Sequence, residues 1–200
     1  EILNEEGEII KEGGGFLSIT SPWPSMLRGI WGDPERYKQT YWSKWQGKYY
    51  FAGDGTKRDK DGYFWFLGRV DDIMLVAGHN ISTAEVESAI NTHADVVESA
   101  VVGYPHDIKG QGIYAYVIAP STTKNHDNLR KEIIAEVNKI IGPIAKPDKI
   151  QIVSGLPKTR SGKIMRRILR KVAEGDVSNL GDTSTLLDPS VVDEIVKGKL

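Results

Sequence analysis

The sequence contains no cysteine among its 200 residues, which excludes a disulfide framework, a thiolate metal site and a cysteine nucleophile. Its longest apolar runs, such as residues 73–77, fall far short of the roughly 20 residues that cross a bilayer. An excess of charge is also missing, since 26 basic residues stand against 27 acidic ones. We therefore expect a globular protein with no membrane span and no nucleic-acid partner. The lack of cysteine is compatible with a reducing cytosol, and we expect a cytoplasmic location.

The aromatic residues divide the sequence into two parts. All five tryptophans, all four phenylalanines and five of the eight tyrosines lie between Phe16 and Phe66. Beyond Phe66, aliphatic residues dominate and helical spacing appears. We predict a β-rich module over residues 1–70 and an α+β module over residues 71–200, with a surface tail from about residue 176. Because the chain starts with Glu1 and shows no basic and apolar leader, we expect it to begin inside a longer polypeptide.

In the first module, turn residues separate short apolar runs. They predict strands at 8–10, 16–19 and 49–51, and a hairpin whose turn at 59–62 leads into the aromatic run at 63–67. A helix over residues 34–45 is expected to begin after an Asp33 cap.

In the second module, Ser82 and Glu85 have the spacing of a capping box before a helix. Strands are predicted at 96–103 and 113–119, a helix at 129–141, and a third helix after Ser161. The order of these elements is typical of an α+β domain with helices packed on a sheet. No helical periodicity is predicted from Asp176 onward.

Two short motifs each have two interpretations. The glycines around Asp54 are typical of a tight turn in which the carboxylate caps its own backbone. A carboxylate fixed at a strand end can instead accept hydrogen bonds from the two hydroxyls of a ribose. Arg69, in the segment 68–72, is either part of a surface ion pair or a planar donor to phosphate.

Residues 158–163 have the richest chemistry, because a Ser-Gly step can present Lys163 to an anion ahead of a helix. The segment is not a P-loop, since the first glycine is missing and Ile164 stands where a hydroxyl should bind magnesium. A nucleic-acid patch is not favoured, because no aromatic residues interleave with the basic ones. The default interpretation for three further basic residues is the solvated face of an amphipathic helix: Arg166, Arg167 and Arg170.

The remaining ionisable residues do not form a recognisable catalytic set. The four histidines lack the spacing of a zinc site. Glu85 and Glu87 are interpreted as a helix cap and a solvent-facing residue, and no nucleophile elbow or catalytic triad is present.

Four motifs, at 53–55, 68–72, 78–80 and 157–163, resemble those of the adenylate-forming (AMP-binding) superfamily in order and spacing. Three further stretches, at 22–28, 164–170 and 178–186, are similar to the acetyl-CoA synthetase branch of that superfamily. The resemblance covers essentially the whole chain and corresponds to the C-terminal part of such enzymes.

The resemblance implies an AMP-forming acetate-CoA ligase. Acetate and MgATP would give acetyl-AMP and pyrophosphate, and the thiol of CoA would then displace AMP. Asp54, Arg69 and Asn80 fall on positions that bind ATP or AMP. Asp71 falls on the hinge about which the C-terminal domain turns, and Lys163 falls on the lysine that enters the site for adenylation. The fragment alone is expected to be inactive.

The same resemblance implies sites for CoA, for a metal and for modification. Ala77, Gly78 and Asn138 fall on CoA-binding positions, and Asn91, His93 and Val96 on a magnesium position with main-chain oxygens among its ligands. Asn80 and Asn138 replace family arginines, so each loses a cation that could neutralise phosphate. Acetylation of Lys163 would remove its charge, with a lysine acetyltransferase and a deacetylase as partners.

Two other functions stay open. Because the acyl pocket lies outside this sequence, the enzyme could be another short-chain acyl-CoA ligase, such as one for propionate. The chain could also be a non-catalytic module that binds CoA or a regulatory partner.

Overall fold

The computed structural model describes residues 1–178 and 180–200, so Asn179 of the predicted tail motif lies outside the described residues. The chain divides into two compact units, residues 1–71 and residues 72–200. Within the described residues, no helix is both long enough and apolar enough to cross a membrane.

The first unit is built on an antiparallel sheet in the order β1-β2-β3-β4. Its strands are β1 (Ile2–Leu3), β2 (Gly13–Ile19), β3 (Tyr50–Arg58) and β4 (Phe64–Arg69), and helix α1 (Pro34–Tyr41) lies between β2 and β3. Three aromatic rings, those of Phe16, Trp45 and Phe51, meet edge to face at 5.6 to 5.9 Å between centroids. Such rings bury large areas, which explains why this unit concentrates the aromatic residues.

The Asp33 cap and the turn at 59–62 agree with the sequence, whereas three other predictions do not. The tight turn expected at residues 53–55 is wrong, because these residues lie inside β3 and pair with β4. Asp33 caps α1 by accepting a hydrogen bond from the backbone N–H of Arg36 at 3.0 Å, as predicted. The helix ends at Tyr41 instead of Trp45, because the backbone already leaves the helical region at Trp42, which has φ −127° and ψ 0°. The predicted strand at 8–10 is wrong: Ile9 forms only an isolated bridge to Leu3, and Ile2–Leu3 is the strand that pairs with β2.

The second unit has five strands, namely β5 (Ile73–Val76), β6 (His79–Ser82), β7 (Glu98–His106), β8 (Gly110–Ile118) and β9 (Lys149–Val153). The sheet order is β6-β5-β8-β7, and β9 pairs in parallel with β8. Its helices are α2 (Thr83–Ile90), α3 (His126–Ile140), α4 (Arg166–Glu174) and α5 (Ser190–Lys197).

Strands β7 and β8 lie between two layers of helices. One face, with Val101, Ile113 and Val117, packs on α2 and α3. The opposite face, with Tyr114 and Tyr116, packs on α4 and α5. Successive residues of a strand point to opposite faces, so a strand that is covered on both faces reads as a continuous apolar run. The predicted α+β class is confirmed.

Three local predictions for this unit differ from the structure. The side chain of Ser82 makes no capping hydrogen bond to α2, so the capping box is not formed. Helix α4 begins at Arg166, not directly after Ser161, because residues 157–165 form a hairpin first. The tail does contain a helix, α5, whose Val192 and Ile195 are buried. Its eight residues are too short to stand out after a stretch rich in Ser, Thr, Asp and Gly.

Candidate functional site

Asp54 and Arg69 face each other across the first unit's sheet, on β3 and β4. The Arg69 guanidinium donates through Nη1 to the carbonyl of Ala52 and through Nε to Asp71 Oδ1 at 3.0 Å. Its Nη1 lies 3.9 Å from Asp54 Oδ1. The guanidinium is therefore held by a backbone oxygen and by carboxylates on both sides.

Gly53 permits this arrangement. Its φ is +92°, and a β-carbon at this position would lie 2.6 Å from Arg69 Nη2. Only glycine combines that backbone conformation with space for the guanidinium. Asp54 keeps 37% of its side-chain surface exposed, so its carboxylate remains accessible to a ligand's hydroxyl groups.

Ala77 and Gly78 form a two-residue turn between β5 and β6. Their φ angles are +49° and +84°, and the backbone N–H of Ala77 donates to the carbonyl of Lys109 at 2.8 Å. Two central residues with positive φ are the signature of the hairpin turn that matches strand twist. A β-carbon on Gly78 would meet open space, so the exposed backbone of this turn is free of steric cover within the unit. Asn80 is exposed on β6 opposite Leu75.

Lys163 lies in a hairpin formed by residues 157–165, which we call the Lys163 hairpin. Lys158 and Ile164 form an antiparallel bridge, and the N–H of Met165 donates to the carbonyl of Pro157 at 2.7 Å. Thr159 organises the turn: its N–H donates to the carbonyl of Lys163 at 2.9 Å, and its Oγ1 accepts from the N–H of Lys163 at 3.1 Å. The backbone of this lysine is fixed by both groups.

The Lys163 side chain is exposed and has no hydrogen-bond or ion-pair partner among residues 1–178 and 180–200. Lys158, on the same hairpin, differs because its ammonium pairs with Glu98 Oε2 at 2.7 Å. An anchored backbone with an uncompensated ammonium group is suited to bind or neutralise an anion that enters from outside.

The sequence-based interpretation of the α4 arginines as a solvated face is wrong for Arg166 and Arg170, which are half-buried in ion pairs, whereas Arg167 is exposed. Arg166 donates to both oxygens of Glu87, at 3.2 and 2.6 Å. Arg167 donates to the carbonyls of Leu180 and Asp182, and Arg170 pairs with Asp72 Oδ1 at 2.9 Å. Each guanidinium thus ties α4 to a different part of the second unit.

Glu87 is buried and does not face solvent as the sequence suggested. Its Oε1 also accepts from the backbone N–H of Val101 at 2.8 Å. Burial alone would lower the pKa of Arg166, but its hydrogen bonds and charge interaction with Glu87 reverse that effect and raise the pKa overall. The spacing of Glu87 from Ile90, three residues along one helix face, was the signal of burial in the sequence.

Truncation of Glu87 should strongly destabilise the protein. The Glu87→Ala variant leaves Arg166 and the Val101 N–H without a partner, and breaking such a pair costs about 3–5 kcal/mol. Chemical denaturation monitored by circular dichroism measures this loss. Glu85→Ala is the matched control, because Glu85 is exposed on the same helix. An equal loss in both variants would contradict the assignment.

The loop from Asn91 to Val96 offers little for a magnesium ion through its side chains. Asn91 Oδ1 accepts from the hydroxyl of Ser99 at 2.8 Å, and His93 Nδ1 accepts from the N–H of Asp95 at 3.1 Å. The carbonyl of His93 already accepts from the N–H of Val96 at 3.0 Å. The described residues contain no group of three or more His, Asp or Glu side chains that could hold a metal. These side chains therefore supply no magnesium ligand set of their own, and the position with main-chain oxygens among its ligands stays a prediction.

The predicted site residues fall into separate groups. Asp54, Arg69 and Asp71 lie together in the first unit, and Ala77, Gly78 and Asn80 share one hairpin of the second. Lys163 lies on a different hairpin, and Asn138 is exposed on α3. The sequence did not reveal the contacts of the α4 arginines, since their partners lie far away along the chain.

Comparison with known proteins defines the class of this chain. The model of the AMP-binding enzyme C-terminal domain family matches residues 85–163. Among solved structures, the anthranilate CoA ligase AuaEII in complex with anthranoyl-AMP is 30% identical with a TM-score of 0.75, over 88% of this chain and 33% of that one. ATP-bound MatB from Rhodopseudomonas palustris is 26% identical with a TM-score of 0.70, over 86% and 33%. The second unit therefore contains a C-terminal domain of the AMP-binding enzymes.

Curated relatives identify a branch of these enzymes to which the chain is similar in sequence. The acetyl-coenzyme A synthetase of Saccharophagus degradans is 58% identical over 200 residues, which are 100% of this chain and 31% of that protein. That of Syntrophobacter fumaroxidans is 57% identical over 199 residues, or 99% and 30%. Over its full length, the chain is a homologue of acetyl-coenzyme A synthetases, and it spans less than a third of their length. The resemblance seen in the sequence motifs is confirmed.

Proposed function

We propose that this chain is the C-terminal part of an AMP-forming acetate-CoA ligase. In the first half-reaction a carboxylate oxygen of acetate attacks the α-phosphate of ATP, and pyrophosphate leaves. In the second, the thiol of CoA attacks the carbonyl carbon of acetyl-AMP, and AMP leaves. The observation that carries the proposal is the Lys163 hairpin, which presents an unpaired ammonium on a fixed backbone.

In adenylation, Lys163 would neutralise the negative charge that develops around the α-phosphate. A preorganised cation stabilises the transition state more than the ground state, and this difference accelerates the reaction. Asp54 would accept hydrogen bonds from the ribose hydroxyls, and Arg69, fixed by Ala52 and Asp71, would contact the nucleotide. ATP is proposed to bind as its magnesium complex, so the metal arrives with the substrate.

For thioester formation, we propose that residues 71–200 turn about Asp71 as a lid. The Lys163 hairpin and the Ala77-Gly78 turn are different hairpins of one unit, so rotation could exchange one for the other at the nucleotide. Ala77 and Gly78 would then line the passage for the pantetheine arm. Asn80 would contact nucleotide and Asn138 would contact CoA, each by hydrogen bonds and without a positive charge.

Regulation by acetylation is part of the proposal. Lys163 Nζ is exposed and unpaired in the described structure, so a lysine acetyltransferase could reach it. Acetylation removes the charge, and a deacetylase would restore it. A cytoplasmic location, where acetyl-CoA and such enzymes meet, is proposed with this function.

Release of pyrophosphate by the full-length protein tests the proposed function. With ATP and no CoA, we expect a burst of pyrophosphate that depends on acetate, and continuous turnover once CoA is added. Propionate should give a lower kcat/KM than acetate. Preference for propionate would indicate another short-chain ligase. Absence of pyrophosphate release with either acid, from folded protein, would favour a non-catalytic CoA-binding module.

A further inference from the structure

The tail of the second unit contacts the Lys163 hairpin directly. We call residues 180–187 the tail strap. Leu186 forms an antiparallel bridge with Thr159, and the N–H of Leu187 donates to the carbonyl of Lys158 at 2.8 Å. The strap therefore adds a third segment to the hairpin, on the edge opposite its own cross-bridge from Lys158 to Ile164.

Apolar packing holds the strap at the same place. Leu186 is 3% exposed and forms a buried cluster with Ile168 of α4 and Val192 of α5. Met165, the last residue of the hairpin, packs against this cluster. The segment that follows the hairpin and the strap that borders it thus share one small core, separate from the main sheet.

Arg167 clamps the other end of the strap. Its guanidinium donates through Nη1 to the carbonyl of Leu180 and through Nη2 to that of Asp182, the latter at 3.0 Å. Gly181, between them, has φ +71°, and a β-carbon there would collide with the guanidinium. The two carbonyls flank a glycine in the left-handed region, and the planar guanidinium can donate to both only when the backbone has this shape.

We propose that the tail strap, clamped by Arg167 at Gly181, positions the Lys163 hairpin for adenylation. Thr159 is the link, because it bonds to the lysine backbone through its N–H and Oγ1 and bridges to Leu186 of the strap. Arg167 is a positioning residue that acts through Lys163 and touches no reacting atom. The inference rests on the proposed function, which assigns adenylation to Lys163.

Two substitutions break the clamp from opposite sides. Arg167→Ala removes the donors, and Gly181→Ala puts a β-carbon where the guanidinium lies and so displaces the guanidinium from the strap carbonyls. Because a displacement of about 1 Å can cost about 100-fold, each variant should lower kcat of acetyl-AMP formation by about 10-fold or more in the full-length protein. The KM for ATP and the rate of thioester formation from supplied acetyl-AMP should be unchanged. Arg167→Lys should recover part of the rate.

Hydrogen exchange provides a readout independent of activity. Both clamp variants should increase exchange at the amide of Leu187, whose N–H is bonded to Lys158. Lys131→Ala, which removes an exposed charge on α3, is the control and should change neither exchange nor rates.

The double variant Arg167→Ala with Lys163→Ala should adenylate no more slowly than Lys163→Ala alone, since a positioning effect is lost with the group it positions.

Three results would overturn the inference: faster exchange at Leu187 with normal adenylation, unchanged exchange in both clamp variants, or equal losses in both half-reactions. Failure of the proposed function itself looks different. In that case Lys163→Ala would adenylate at the normal rate, whatever the clamp variants do.

Discussion

Replacement of Lys163 by alanine should reduce acetyl-AMP formation in the full-length protein to a small residual rate while thioester formation from supplied acetyl-AMP continues. The ammonium group has no internal partner among the described residues, so its removal breaks no contact that supports the fold. The loss of one preorganised charge from a transition state lowers kcat by about 100-fold to 1,000-fold. Acetate-dependent pyrophosphate release and CoA-dependent consumption of acetyl-AMP measure the two steps separately.

Lys163→Gln should behave like the alanine variant, because it keeps length and polarity but removes the charge. Lys158→Ala is an informative comparison on the same hairpin, since Lys158 already pairs with Glu98. It should affect adenylation far less than Lys163→Ala. If both half-reactions of Lys163→Ala fell to the same extent, the lysine would not belong to adenylation and its proposed role would be refuted.

Substitution of Gly78 by leucine should have the opposite effect, with normal acetyl-AMP formation and a large loss of thioester formation. A side chain at this turn would project from backbone that meets open space within the unit, where the pantetheine arm is proposed to pass. A blocked passage should raise the KM for CoA and lower turnover by about 100-fold, the scale expected when reacting groups are misplaced.

Backbone strain needs its own control in this experiment. Gly78 has φ +84°, and a branched residue in that region costs about 1–2 kcal/mol. Gly62→Leu imposes the same strain, because Gly62 has φ +88° and also faces open space. Gly62→Leu should leave CoA-dependent turnover unchanged. Normal CoA-dependent turnover in Gly78→Leu would remove the passage from the mechanism.

Some features that depend on neighbouring residues, such as one helix cap and one tight turn, could be predicted from the sequence. Asp33 caps its helix and the turn at 59–62 forms as expected, because those preferences depend on neighbouring residues. The motif around Lys163 was identified from a Ser-Gly step and its flanking charges. That Thr159 would fix the lysine backbone could not be derived, since the geometry depends on how the hairpin closes.

Contacts between distant residues escaped the sequence-based analysis. Arg166 and Glu87 are 79 residues apart, and no local pattern links them. Helix α5 was missed because its stability comes from burial of Val192 and Ile195 rather than from length or caps. Tertiary packing decided both cases, and it also placed Arg166 and Arg170 in ion pairs with Glu87 and Asp72 instead of on a solvated face.

The hydrogen bonds of the α4 guanidiniums limit which cations of the basic region, residues 158–171, are available to an anion. Oxygen atoms of the same chain accept hydrogen bonds from the guanidinium groups of Arg166, Arg167 and Arg170. Carboxylates offset the charge of Arg166 and Arg170, which pair with Glu87 and Asp72, whereas Arg167 is exposed and donates to neutral carbonyl oxygens, so it keeps its positive charge. A small anion that reaches this region would therefore meet two exposed cations in front of the helix, Lys163 and Arg160, neither of which has an internal hydrogen-bond or ion-pair partner among residues 1–178 and 180–200.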